Sequence, residues 1–208
     1  MSHPGVNRIE AAVVAGASAL VFLAAMLPFL PGPAVRNDLV MTIYFLTAIG
    51  SLFAAIFIPV GCLFWILPAK QRRHHTRLTL LVIPKLMVFL PIVAFVTVFL
   101  LGDHVKDRTR DVAIAGARPL IAAIETYRGD TGRYPASVAD LVPGYLEKVP
   151  ESGILGIARY EYERRDDSYS LYFTQVFSGF SVEVVRYDPG GGLAAMKRPP
   201  RWRLQVYD

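Results

Sequence analysis

Carboxylates are the side chains of this sequence whose types and spacing come closest to a catalytic arrangement. Glu161 and Glu163 are two residues apart on a predicted strand and would project to the same face, while Asp166 and Asp167 are adjacent in the turn that follows. A carboxylate pair can supply a general acid and a general base. Because both pairs occupy predicted solvent-facing positions, we interpret them as surface charges.

Few residues after residue 102 are suited to nucleophilic catalysis or to zinc binding. His104 is the only histidine in 103–208, and the sole cysteine of the chain, Cys62, lies earlier. Most nucleophile and base pairs and most zinc sites need these residue types. The glycines at 190–192 lie between two predicted strands and do not precede a helix, so they do not form a phosphate-binding loop. We therefore predict no enzymatic activity, no metal and no cofactor.

Three apolar segments dominate the first half of the chain. Residues 11–30 and 39–67 contain no charged side chain, and residues 78–102 contain only Lys85. Each segment is long enough to cross a hydrocarbon core of roughly 30 Å at about 1.5 Å per residue. We therefore predict three transmembrane helices within residues 1–102.

The charges of the chain divide at the end of the third apolar segment. Up to residue 102, seven basic and two acidic side chains give 7 − 2 = +5, whereas residues 103–208 carry 15 basic and 15 acidic ones and have no net charge. The basic excess therefore belongs to the membrane region. We predict a water-facing domain at 103–208 that does not bind nucleic acid.

The connection between the second and third apolar segments determines the expected orientation. It is short and holds four basic side chains: Lys70, Arg72, Arg73 and Arg77. Because positive loops stay in the cytoplasm, we expect these side chains to contact membrane lipids there. The N-terminus would then be cytoplasmic, and residues 103–208 would be extracytoplasmic. A cleaved signal peptide in place of the first helix is an alternative that leaves the domain on the same side.

Lys85 is the one charged residue inside a predicted span. An ionisable side chain at membrane depth is a functional hypothesis by default. Because Lys85 lies near the predicted cytoplasmic end and no predicted span contains an acidic partner, we interpret it as a lysine that reaches the lipid headgroups. Pro84 and Pro91 are expected to kink this helix.

A helical period continues beyond the third span. Apolar residues recur on one stripe, whereas Asp111, Arg118 and Glu125 fall on the polar side. The stripe consists of Ile114, Ala117, Leu120, Ile121, Ile124 and Tyr127. We predict an amphipathic helix that ends at Gly129, with a kink or break at Gly116 and Pro119.

The period changes to two after residue 157. Residues 158–164 and 169–175 predict a hairpin, and 180–187 and 201–207 predict two further strands. Between the long helix and these strands, Ser137 can cap a short helix. The aromatic residues of the strands are expected to cover the apolar stripe of the helix.

The helix is followed by a turn with a recognisable composition. Glu125 and Tyr127 lie near the end of the helix, and the next residues form an Asp-x-Gly-Arg-Tyr-Pro sequence from Asp130, Gly132, Arg133, Tyr134 and Pro135. This stretch resembles the major pseudopilins of type II secretion and, more broadly, type IV pilins. The resemblance implies an α+β pilin-like domain in which a long helix packs on an antiparallel sheet of about four strands. The chain differs from these proteins in having three spans and no Phe-Thr-Leu-Ile-Glu start.

Taken together, these features predict a bacterial inner-membrane protein with a three-helix anchor and an extracytoplasmic pilin-like domain. The domain is expected to be a non-enzymatic interaction or scaffold module with envelope or secretion-system proteins as partners and no small-molecule substrate. One alternative is an accessory subunit of a type II secretion or type IV pilus assembly. Another is a membrane enzyme or transporter component that uses Lys85 or the basic loop.

Overall fold

The computed structural model describes residues 4–33, 37–66, 77–157, 159–165, 167–178, 180–189 and 202–207. The chain divides into two compact units. The helical unit comprises Met1–Leu27 and Thr42–Gly102, and the sheet unit comprises Pro28–Met41 and Asp103–Asp208.

Three helices among the described residues are long and apolar enough to cross a membrane, as predicted: Arg8–Phe29, Asp38–Ala55 and a third that lies within Val82–Thr131. The α-helical elements are α1 (Pro4–Met26), α2 (Asn37–Ala55), α3 (Phe57–Ile66) and α4 (Arg77–Phe95). In the helical unit, α1 and α3 pack against α4.

The second apolar segment is not the single helix that residues 39–67 predicted. The α-helical pattern is interrupted at Ile56, whose N–H donates to the Phe53 carbonyl at 3.2 Å, three residues back. Pro59 provides the physical reason, because it has no N–H for the carbonyl of Ala55 and its ring collides with that carbonyl. In α4, Pro84 and Pro91 lie inside an uninterrupted helix, and a π-helical turn follows at Val96–Leu101.

The long helix α5 (Gly102–Thr131) has 30 residues. Of the predicted kink or break at Gly116 and Pro119, the break is wrong, because the helix runs through both. Pro119 deprives only the carbonyl of Ala115 of its helical donor, and Ala115 lies on the exposed side, where water can replace that donor. The helix ends two residues later than predicted because Gly132, with φ of 74°, supplies the left-handed residue that stops it.

The sheet has the predicted four antiparallel strands in the order of the chain. They are β1 (Glu161–Arg165), β2 (Ser168–Ser178), β3 (Ser181–Tyr187) and β4 (Trp202–Tyr207). The short helix expected after Ser137 is a 3-10 turn at Val138–Leu141, and the Ser137 N–H donates to Asp140 Oδ2 at 2.9 Å.

The core of the sheet unit lies between α5 and one face of the sheet. Ala117, Leu120 and Ile124 from the predicted stripe are fully buried, and the other stripe residues pack at the edge of the same cluster. The strands contribute buried residues that alternate along β2 and β3: Tyr169, Leu171, Phe173, Val185 and Tyr187. The long helix therefore packs on the antiparallel sheet as predicted.

The segment that follows α1 belongs to the sheet unit through backbone pairing. Pro31 and Ile154 form an isolated antiparallel bridge. The Gly32 N–H donates to the Gly153 carbonyl, and the Gly156 N–H donates to the Pro28 carbonyl, each at 3.0 Å. At Gly156, a Cβ would lie 2.5 Å from the Pro28 carbonyl oxygen, so only glycine fits this approach.

Candidate functional site

The turn residues that carry the pilin resemblance connect the end of α5 to the sheet. Tyr134 is buried, and its hydroxyl accepts a hydrogen bond from Arg128 Nη1 at 2.6 Å. The Arg128 guanidinium carbon also lies 4.5 Å from the centre of the Tyr134 ring, and that ring meets the Tyr169 ring edge-on at 5.0 Å. The carbonyl of Pro135 accepts a hydrogen bond from the Tyr162 hydroxyl at 2.8 Å. These contacts stabilise the fold.

The other residues of this motif have mixed surroundings. Glu125, predicted on the polar side of the helix, is half-buried and accepts a hydrogen bond from the Tyr169 hydroxyl at 3.2 Å. The Tyr127 ring contacts the Tyr145 ring at 5.3 Å. Asp130 belongs to the last turn of α5, and Arg133 is exposed.

The predicted lipid-contacting loop lies largely outside the described residues. This applies to Lys70, Arg72 and Arg73, whereas Arg77 is the first residue of α4.

Lys85 has an acidic partner that the sequence interpretation excluded. Its Nζ donates to Glu10 Oε2 at 2.8 Å, so the predicted lack of an acidic partner is wrong. Glu10 directly precedes the predicted span at 11–30, whereas α1 begins at Pro4 and includes it. The Glu10 side chain is buried, and its Oε1 has no hydrogen-bond partner among the described residues.

A second buried carboxylate lies in the sheet unit. Glu183 on β3 is 1% exposed. Arg110 of α5 donates two hydrogen bonds to its carboxylate, from Nε to Oε2 at 2.9 Å and from Nη2 to Oε1 at 3.0 Å. Gln175, the cross-strand neighbour on β2, donates Nε2 to Glu183 Oε2 at 2.7 Å. Both carboxylate oxygens are thus occupied, and the cluster cross-links the helix to two strands.

The sequence contains one signal for this cluster that our predictions missed, a polar residue on the buried stripe of α5. Thr109 precedes the buried Ala113 and Ala117 at spacings of four and eight, which puts it on the buried stripe. Its hydroxyl lies 3.4 Å from Gln175 Oε1. A polar residue on a buried stripe requires a polar partner, but the stripe does not identify that partner.

Two of the four carboxylates considered for acid–base chemistry, Glu161 and Glu163, are ion-paired at the surface. Glu161 accepts a hydrogen bond from Arg159 Nε at 2.8 Å, and Glu163 lies 3.7 Å from Arg165. Asp167 is exposed, and Asp166 lies outside the described residues. Within the part of the chain that the structure describes, no group of three or more metal-ligating side chains is found.

The edge strand β4 carries an exposed apolar surface. Leu204 lies opposite Val185, and Val206 lies opposite Glu183, so both project to the helix-covered face of the sheet. Yet Leu204 is 53% exposed and Val206 is 42% exposed, which shows that the helix does not cover this edge. We call Leu204 and Val206 the β4 surface. Exposed apolar residues on an open strand edge are typical of sites where another chain binds.

No family model, no curated protein and no solved structure matches this chain. The described ionisable clusters that lie buried hold helices and strands together, and the β4 surface is the feature of the sheet unit best suited to recognition.

Proposed function

We propose that this chain is a bacterial inner-membrane protein that displays a pilin-like domain outside the cytoplasm as a non-enzymatic interaction or scaffold module. The β4 surface carries this proposal. Leu204 and Val206 are apolar and exposed beside an unpaired strand edge of the described sheet, and a partner can use both the backbone groups of that edge and the apolar side chains.

The orientation is supported by the charge of the 68–77 connection and by the backbone pairing in the sheet unit. The segment after α1 pairs with residues 153–156, so the connection between the first two spans and the domain share one side of the membrane. The basic connection belongs to the opposite, cytoplasmic side. A periplasmic reporter fused after Asp208 is expected to be active, and activity of a cytoplasmic reporter at the same position would contradict the orientation.

Photo-crosslinking in native membranes tests the interaction. A photoreactive phenylalanine analogue at Leu204 is expected to give adducts with an envelope protein. The matched control is Thr174, which is exposed on the opposite face of the same sheet. Equal labelling from both positions, or no adduct from Leu204 in a correctly oriented protein, would reject the β4 surface as a binding site.

The adduct also tests a more specific role, as an accessory subunit of a type II secretion or type IV pilus assembly. The resemblance of the turn to pseudopilins implies a long helix packed on an antiparallel sheet. The sheet unit has this arrangement, with Arg128 and Tyr134 joining helix and sheet, and this favours the role. A pseudopilin or another secretion component in the Leu204 adduct is expected in that case.

A further inference from the structure

Strand β2 runs along α5 toward the beginning of that helix. Its Tyr169 bonds to Glu125, and its Gln175 lies next to Thr109. These helix positions are 125 − 109 = 16 residues apart, or about 24 Å at 1.5 Å per residue, and the strand positions are 175 − 169 = 6 residues apart, or about 20 Å. The two lengths agree closely, so strand and helix are nearly antiparallel.

The same geometry locates the turn between β2 and β3. From Gln175 to the end of β2 at Ser178 the sheet advances by two to three residues, or about 7–10 Å, because the pairing with β3 is irregular between Val176 and Ser178. About 7–10 Å back along α5 from Thr109 is five to seven residues, which reaches Asp103. Asp103 is the first charged residue after the apolar run of the third predicted span. The turn is therefore level with the beginning of α5, where the sequence changes from apolar to charged.

The end of the sheet at this level exposes aromatic side chains. Phe180, in the turn, is 44% exposed. Tyr207, opposite Val182 at the end of β4, is 47% exposed. We call Phe180 and Tyr207 the aromatic tip. Aromatic side chains concentrate at the boundary between lipid and water, where a ring can be partly buried among the headgroups.

We propose that the aromatic tip contacts the outer surface of the lipid bilayer. The Arg110–Glu183 cluster holds this end of the sheet against α5, so the tip stays level with the beginning of α5. Lipid is the expected occupant because the bilayer begins where the apolar run of the third predicted span ends, whatever protein binds elsewhere. This inference rests on the proposed membrane location.

Site-directed spin labelling of the full chain in phosphatidylethanolamine and phosphatidylglycerol vesicles tests the contact. In a Cys62→Ala background, Phe180→Cys and Tyr207→Cys each receive a nitroxide. Oxygen, which concentrates in lipid, and a water-soluble nickel chelate then serve as collision probes. Val112→Cys, an exposed apolar position about 14 Å along α5 from Asp103, and Ala136→Cys beyond the far end of α5 are aqueous controls. Leu100→Cys is the lipid control.

The ratio of oxygen to nickel accessibility is expected to be higher at 180 and 207 than at 112 and 136, and to approach that at 100. If the ratio of oxygen to nickel accessibility is low at 180 and 207 but high at 100, the lipid contact is overturned and the membrane location is not. Low accessibility to both probes would assign the tip to a protein partner and overturn it as well. An aqueous value at 100 would overturn the membrane location and this inference together. If Phe180→Cys fails to fold, the label at Tyr207→Cys alone tests the contact.

Discussion

Each unit of the molecule contains a buried glutamate paired with a base from another element, but the two pairs differ in their surroundings. Glu183 in the sheet unit receives donors on both oxygens, from Arg110 and Gln175. Glu10 in the helical unit receives one hydrogen bond, from Lys85, and its Oε1 has no partner among the described residues. Arg110 is mostly buried, whereas Lys85 is 35% exposed.

The difference shows how the chemistry of the base limits what a buried pair can do. A planar guanidinium donates two parallel bonds and fixes direction, whereas an ammonium acts as a point charge on a flexible stem. The Arg110 pair therefore specifies how α5 lies on the sheet. The Lys85 pair joins α1 to α4 with less directional control and leaves one acceptor unused.

The largest expected effect comes from removing one side of the fully bonded pair. Arg110→Met leaves the Glu183 carboxylate buried without its cation, and we expect a loss of about 3–5 kcal/mol in the free energy of unfolding of the sheet unit. Chemical denaturation of the purified full chain, followed by near-UV circular dichroism, measures this loss. The double variant Arg110→Met/Glu183→Leu is expected to recover part of the stability, because the buried charge is then absent. A single variant as stable as the parent would show that the cluster is not a cross-link.

The pair in the helical unit should be less sensitive. Lys85→Met removes the single hydrogen bond of Glu10, and we expect a loss of about 1–3 kcal/mol, measured by thermal unfolding in detergent. The exchanged variant Glu10→Lys/Lys85→Glu is expected to restore much of it. If Lys85→Met costs as much as Arg110→Met, the contrast between the pairs is wrong. If it leaves stability unchanged but removes a transport or catalytic activity, the membrane enzyme or transporter alternative gains support.

Each unit also contains a glycine that allows a close approach, and these provide a smaller test. A Cβ at Gly116 would lie 2.7 Å from the Tyr160 hydroxyl, which donates to the Ala113 carbonyl, and a Cβ at Gly61 would lie 2.9 Å from Val88 Cγ2. We expect Gly116→Ala to destabilise the sheet unit by about 1–2 kcal/mol, since overpacking outweighs the gain in helix propensity. Adding Tyr160→Phe should relieve the clash. Gly61→Ala should cost at least as much, because its Cβ would also lie 3.0 Å from the Pro84 carbonyl oxygen, a backbone atom that no rotamer change can move. A clearly smaller cost at Gly61 would contradict this ranking.

The smallest single-residue effect should appear at alkaline pH. Burial raises the pKa of Tyr162 to about 12, and it raises the pKa of Tyr160 and Tyr169 as well. A tyrosine in the unfolded chain has a pKa of about 10. Above that pH the unfolded state loses a proton that the folded state keeps. The free energy of unfolding of the sheet unit should therefore be unaffected by these groups below about pH 10 and fall as the pH rises toward 12. Tyrosinate absorbance with circular dichroism measures this. Tyr162→Phe should make the fall less steep, and an unchanged slope would contradict the assignment.

Several elements could be predicted because their signals are local. The apolar stripe of α5 and the alternation in β2 and β3 depend on the period of the backbone, and burial confirmed both. Helix α5 ends two residues after the predicted end at Gly129, because the left-handed conformation of Gly132 stops the helix and Gly129 does not. The break in the second apolar segment could have been predicted from Pro59. The continuity through Pro119 could not, since it depends on whether the freed carbonyl faces solvent.

By itself, the sequence determined three segments able to span a membrane, the division of charge at residue 102, and a helix followed by four strands. Composition and periodicity are sufficient for these features, because each arises from neighbouring residues. Only the tertiary structure decided that Glu10 meets Lys85, that Arg110 meets Glu183, and that Leu204 remains uncovered. Those contacts join residues more than seventy positions apart, or depend on where a helix stops covering a sheet, and no local pattern encodes such distances.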